Sequence, residues 1–455
     1  MKKGLLMLVA AAILAAPLAP ALADDSENKI VVNGMVRGRY EYFTNYLDLT
    51  DNDESGDAND DSFALAPYRV VVGLTANFTD NVSAHVDLQY AGVFGDEFTP
   101  FKDGGPFNDP LPLGQGGTPY LFATQGMQLY QGYIDINKIG GSNIGVRVGR
   151  AEHTYGTELF LGDNDYYNGT SFDGARLMWT AGKSDLNAFY YKIAELNGAF
   201  FDGAADDSDL FGVTYDYKTD GTWGTFGGYV IAAQDLAGAG PIEIPDSKLY
   251  TIGAHWMRPM TSGDGTMAKF DWNLEAAMQT GDAGDPFAAP GVDLSGYVVE
   301  GWFGWNFGGD KSHGRLHAGI FMTSGDDPDT TDEIEDFNPL FGDYHANNRL
   351  GDLDFVESDA GPHNITNINV GYQHWFGDHS FMAAVHYNML TEDTGFTDDK
   401  LGLEVDLGYA YQYSKNLAFE VNAGQFMPDT AMEEFFLVTD SDPVMRINGG
   451  VKLTW

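Results

Sequence analysis

From Met445 to Trp455 the chain alternates: Met445, Ile447, Val451, Leu453 and Trp455 are apolar, and Arg446, Asn448, Gly450, Lys452 and Thr454 fall between them. A period of two places one set on each face of a β-strand. The same rhythm, punctuated by turn residues, predicts strands near 30–46, 68–78, 82–94, 127–138, 142–153, 171–182, 184–195, 208–218 and 222–234. The second half continues near 248–258, 268–280, 295–308, 313–324, 365–376, 379–391, 400–413, 416–427 and 444–455. Most are long enough for a tilted strand to cross a hydrocarbon layer.

The connections alternate between short and long. Thr79-Asp80-Asn81, Ile139-Gly140-Gly141, Thr219-Asp220-Gly221, Gly377-Asp378 and Ser414-Lys415 are short, whereas 47–67, 95–126, 154–170, 325–364 and 428–443 are long. Membrane barrels have short periplasmic turns, long outer loops and an even strand number. The expected fold is therefore all-β, a transmembrane antiparallel barrel of about eighteen strands in the outer membrane, with lipid around it. The terminal strand ending at Trp455 is the segment that barrel-assembly machinery is expected to recognise.

Composition narrows the picture further. Lys2 and Lys3, an apolar stretch from Leu5 to Pro20 and Ala21-Leu22-Ala23 make residues 1–23 a signal peptide, leaving 24–455 as the barrel domain. No later apolar run could span a bilayer as a helix. The mature chain then carries 22 Lys and Arg against 67 Asp and Glu, a formal −45. That excess excludes a nucleic-acid partner, which needs a basic surface. Absence of cysteine fits an exported protein without specifying its class.

Parity assigns the faces. Val32, Val36, Tyr40 and Tyr42 share one side of the first strand, so Arg37, Arg39 and Glu41 must face inward. Extended around the barrel, parity places Arg69, Arg147, Arg176, Arg315, Arg446 and Lys452 in the lumen. It places Asp87, Asp135, Asp271, Glu275, Glu300, Glu404, Asp406 and Glu420 there too. Bases concentrate on the first, second, fifth, sixth and last strands, and many acids on the eleventh, twelfth, sixteenth and seventeenth. Such walls either impose a transverse field on a narrow pore or pair within the interior. Tyr40, Tyr42, Trp179, Trp256, Trp305, Trp375 and Trp455 are expected in the interfacial girdles.

Several motifs resemble those of alginate-export outer-membrane porins: Val146-Arg147-Val148-Gly149-Arg150, Tyr155-Gly156 and Ser171-Phe172-Asp173-Gly174-Ala175-Arg176 in the centre. Arg37-Gly38-Arg39-Tyr40-Glu41 precedes them, and Phe337-Asn338-Pro339-Leu340-Phe341 with His345 and Gly351-Asp352, then Leu401-Gly402-Leu403-Glu404-Val405-Asp406, follow. The resemblance implies a constricted, arginine-rich lumen passing small anions or an anionic polysaccharide. Arg39, Arg147, Arg150 and Arg176 would line it, with Asp173, Glu404 and Asp406 as acidic partners.

The expected function is a passive channel without cofactor. The alternatives are a general diffusion porin for small hydrophilic solutes, or a barrel whose acidic loops bind calcium or a partner. The run Asp51-Asn52-Asp53-Glu54-Ser55-Gly56-Asp57 lacks the closing Glu of a tight calcium loop. The histidines show no paired ligand spacing, so no metal is expected. His379-Ser380, an adjacent His-Ser pair beside a short turn, places its members on opposite strand faces, which excludes a nucleophile and base there. Segment 95–126, with Gly104-Gly105-Pro106 and Gly114-Gln115-Gly116-Gly117, is a candidate to fold inward as a constriction.

Overall fold

A computed structural model describes residues 29–46, 49, 62–94, 127–195, 207–219, 223–234, 247–261, 266–283, 292–309, 311–345, 349–353, 362–392 and 395–455. Residues 1–23, the acidic run 51–61 and the candidate constriction segment 95–126 lie outside this set. The strands, in chain order, are β1 (Lys29–Thr44), β2 (Pro67–Thr79), β3 (Val82–Val93), β4 (Gln128–Ile136), β5 (Ile144–Ala151) and β6 (Phe172–Ala181). They continue as β7 (Ser184–Glu195), β8 (Asp207–Lys218), β9 (Thr225–Gln234), β10 (Lys248–Arg258), β11 (Phe270–Asp282) and β12 (Asp293–Gly309). The last six are β13 (Ser312–Thr323), β14 (Ile365–Phe376), β15 (His379–Leu390), β16 (Lys400–Ser414), β17 (Leu417–Pro428) and β18 (Val444–Thr454). Two short strands, Phe63–Leu65 and Glu333–Ile334, and one helix, α1 (Thr430–Phe436), sit at the long-loop end.

Each strand pairs antiparallel with the next, and β18 returns to β1, from Met35 opposite Thr454 to Thr44 opposite Met445. The sheet is thus a closed eighteen-strand barrel without edges. Closure extends one residue past β18, where Gly34 and Trp455 exchange backbone hydrogen bonds of 3.2 and 3.1 Å. Gly34 is required there, because a Cβ would collide with the Trp455 ring. Short turns use the left-handed region: Gly140, Gly141, Gly182 and Gly377 have φ of 60°, 78°, 62° and 56°.

The outer face is apolar along mid-strand. Val230, Ile252, Met278, Val370 and Leu407 are among its exposed large hydrophobics. The inner face of β1 buries Arg37, Glu41 and Phe43, while Val36, Tyr40 and Tyr42 remain exposed outside. No helix among the described residues is long and apolar enough to cross a membrane; the strands do so instead.

Met278 is 72% exposed at mid-strand. Met278→Arg is expected to weaken folding by about 2–4 kcal/mol if that position lies near the bilayer midplane. Urea-dependent folding into lipid vesicles measures this, and an unchanged midpoint would place Met278 away from hydrocarbon.

Candidate functional site

After β5 the chain turns into the barrel, and residues 152–171 cross its interior before β6 begins. Backbone in such a place needs hydrogen-bond partners that water would otherwise supply. One end of the segment lies on the basic strands. Arg37 donates to the carbonyls of Asp165 and Tyr166. Arg39 donates to the Tyr166 carbonyl at 2.7 Å, and its guanidinium sits 3.9 Å from the Tyr166 ring centroid. Arg69 pairs with Asp165 at 3.4 Å. Arg446 joins Glu41 at 3.1 Å and reaches the Tyr166 hydroxyl, while Tyr167 donates to Glu41 at 2.8 Å.

The other end rests on acids. Thr157 donates its backbone N–H to Glu275 at 2.8 Å and its hydroxyl to Glu300 at 2.7 Å. A second inward stretch, residues 337–345 and 349–353, joins it there. Arg349, fully buried, pairs with Glu300 at 3.1 Å and donates to the carbonyls of Asp343 and Thr157 at 2.8 and 2.6 Å. Farther along, Leu353 donates its N–H to Glu404 at 2.8 Å and Asp352 to Asp406 at 3.3 Å. Carbonyls thus meet arginines and N–H groups meet carboxylates, each charge-assisted.

Between these anchors the two segments share an apolar plug. Leu159, Phe160, Leu161, Phe337, Leu350 and Leu353 pack with inward residues of the upper wall, among them Phe172, Phe189, Leu210, Ile231, Phe321 and Phe426. Backbone bonds stitch the segments at Gly162 to Phe341 (2.9 Å), Phe341 to Phe160 (3.2 Å) and Asp343 to Glu158 (2.9 Å). The Glu158, Asp163 and Asp343 carboxylates converge there, with an oxygen of each within 4.8 Å of the others. Burial, then Asp163 and Asp343, push Glu158 up to about 7. Burial, then Asp165 and Glu152, push Asp163 up to about 6.

Beside the plug lies a polar cavity of about 380 Å³. Arg147, Arg176 and His85 line it together with Asp87, Glu152 and Asp163 and the neutral Asn33, Gln131, Tyr133 and Thr154. Arg147 and Arg176 are register partners on β5 and β6. Two bonds of 2.8 Å tie Arg147 to Asp135, and its guanidinium lies 3.9 Å from the Tyr133 ring centroid. Arg176 forms no ion pair among the described residues, and its buried Nε has no hydrogen-bond partner.

Of the residues expected from the sequence, Arg147 and Arg176 therefore meet at the cavity. Arg37, Arg39, Arg69 and Arg446 are spent on the inward segment, Arg315 on Asp271 at 2.7 Å, and Glu404 and Asp406 on residues 352–353. Arg150 and Asp173 stand elsewhere. They pair with each other on the outer face, beside exposed Val148 and Leu177, with side chains 40% and 50% exposed. They begin an outward row in which Asp173 faces Lys192 and Lys192 pairs with Asp209 at 3.0 Å. Their place follows from parity with Val148, which the motif resemblance overrode. Trp375 likewise departs from the girdle: it shares the inner face and stacks on His313 with centroids 4.7 Å apart. The buried Arg349 was not singled out from the sequence, because nothing local marks a loop arginine as a lumen anchor.

Residues 55–434 match the family model described as alginate export. The chain belongs to the alginate export family. It is an outer-membrane porin, a channel rather than an enzyme. No curated protein matches the sequence. Among solved structures, Pseudomonas aeruginosa OccK9 (OpdG) is similar over 94% of this chain and 99% of its own, with TM-score 0.57 and 13% identity. P. aeruginosa OccK2 (OpdF), solved in complex with glucuronate, aligns over 94% and 98%, with TM-score 0.55 and 13% identity. A BenF-like porin from Pseudomonas fluorescens Pf-5 aligns over 94% and 99%, with TM-score 0.56 and 12% identity. At these identities the likeness is one of fold.

Arg349→Ala leaves Glu300 buried without its partner, a loss of about 3–5 kcal/mol for a buried pair. The inward segments are expected to loosen, seen as larger and noisier single-channel conductance in planar bilayers. The double variant Glu300→Gln/Arg349→Met should be milder than Arg349→Ala, and equal effects would exclude the charge explanation.

Proposed function

We propose that this porin passes small carboxylate-bearing anions, uronic acids among them, through the cavity beside Arg147 and Arg176. The observation that carries this reading is the state of Arg176: a cation at a polar cavity whose charge no protein carboxylate neutralises by an ion pair among the described residues. A guanidinium fork matches a carboxylate. Arg147, already held by Asp135, offers a weaker second contact, and adjacent weak sites permit release as well as entry. The glucuronate complex of the similarly folded OccK2 supports uronates as a first ligand class to test.

Asp87, Glu152 and Asp163 on the same cavity favour a second reading, a diffusion porin for small hydrophilic solutes with little charge preference. The two readings part on reversal potential under a salt gradient in planar bilayers. Arg176→Ala should reduce the anion-over-cation permeability ratio by about threefold, and Arg176→Lys should retain most of it. Glucuronate should lower chloride conductance of the unaltered protein and not of Arg176→Ala. A wild-type channel without anion preference and indifferent to glucuronate would leave the diffusion porin standing.

A further inference from the structure

Asp163 occupies two structural settings at once. It lines the polar cavity with Arg147 and Arg176, and it belongs to the carboxylate cluster where the two inward segments meet. The cavity itself carries both signs. Its cations are Arg147 and Arg176, and its potential acids are Asp87, Glu152 and Asp163. Asp87 is engaged by His85 at 2.9 Å and by Gln131 at 3.1 Å. Glu152 accepts from the Tyr130 hydroxyl. Asp163 instead faces carboxylates: Glu158 on its own segment and Asp343 on the other, close enough for three like charges to be unfavourable together.

We propose that Asp163 is a selectivity-determining residue of the passage and acts by binding and releasing a proton. With the proton bound, Arg147 and Arg176 dominate the cavity and anions pass preferentially. With the proton lost, the Asp163 carboxylate offsets them and cations compete. The inference rests on the arginine passage proposed above and adds to it a dependence on pH. After burial, the Asp165, Glu152 and Asp343 carboxylates disfavour a charge on Asp163, and the Asp165 backbone N–H that it accepts works the other way. Arg349 from the second segment draws Glu158 the other way. Arg69, paired with Asp165, and His85, Asp87, Arg147 and Arg176 complete the surrounding charges from the wall. The sum of burial and carboxylate neighbours sets the changeover near neutral pH instead of the ordinary carboxylate range.

The sign follows directly. A carboxyl raised to about 6 is mostly neutral at pH 5 and mostly ionised at pH 8. The anion-over-cation permeability ratio should therefore fall as pH rises through that interval.

Reversal potentials of the full-length protein test this in planar bilayers of zwitterionic lipid, under a potassium chloride gradient with EDTA present, from pH 5 to pH 8. The ratio should fall by about threefold or more. Asp163→Asn should hold the acidic-side value at every pH. Asp343→Asn, which removes a neighbouring acid and leaves Asp163 in place, should move the changeover to lower pH. Arg176→Ala at pH 5 reports separately on the arginine passage: an unchanged ratio there overturns that reading. A wild-type ratio independent of pH, or a pH dependence that persists in Asp163→Asn, overturns the proton-binding role. A pH dependence that appears only when EDTA is omitted overturns it too, since a bound divalent cation would then be responsible.

Discussion

Two stretches of irregular backbone run through the interior of this barrel, and their peptide groups must find partners away from bulk water. Much of the lumen's charge answers that need. Arg37, Arg39 and Arg446 receive carbonyls of residues 165–167 and 352, while Glu275, Glu404 and Asp406 accept N–H groups of residues 157, 353 and 352. A polar inner wall is thus a set of anchors before it is a pore lining. Both signs line the wall because a peptide backbone presents both donors and acceptors.

The same constraint explains the plug. Once the segments are tied at both ends, their apolar side chains meet the upper inner wall, where Phe172, Phe189, Leu210, Phe321 and Phe426 also turn inward. Burial of these groups stabilises the closed arrangement at about 25 cal/mol per Å² removed from water. The polar cavity lies to the side where β5 and β6 carry Arg147 and Arg176. Arg349 binds the plug to the wall by charge as well as by packing, through Glu300 and two loop carbonyls.

Strand number, order and much of the parity were legible in the sequence, because lipid on one face and polar groups on the other enforce a period of two. The β7, β10 and β14 spans were read to the residue, and the other barrel-strand boundaries fell within three. Legibility failed where that contrast fades. Near the long-loop ends both faces are apolar, so the inward Phe189 and Leu210 look like lipid-facing residues. Arg150 and Asp173 face outward near the same ends, where an ion pair neutralises the charge. Trp375 lines the inner face with His313, since an indole suits any half-polar surface and its identity alone carries no direction.

The sequence by itself determined an outer-membrane barrel, its closure through the strand that ends at Trp455, and a lumen rich in both charges. These are local consequences of alternation and of the hydrocarbon around the wall. Only the tertiary structure decided which charges remain for a solute. Arg37 and Arg176 are alike in sequence terms, each inward on a strand near the start of the barrel. One is consumed by loop carbonyls more than a hundred residues away, and the other opens onto the cavity. That difference depends on where residues 152–171 cross the interior, a long-range path that no short-range pattern encodes.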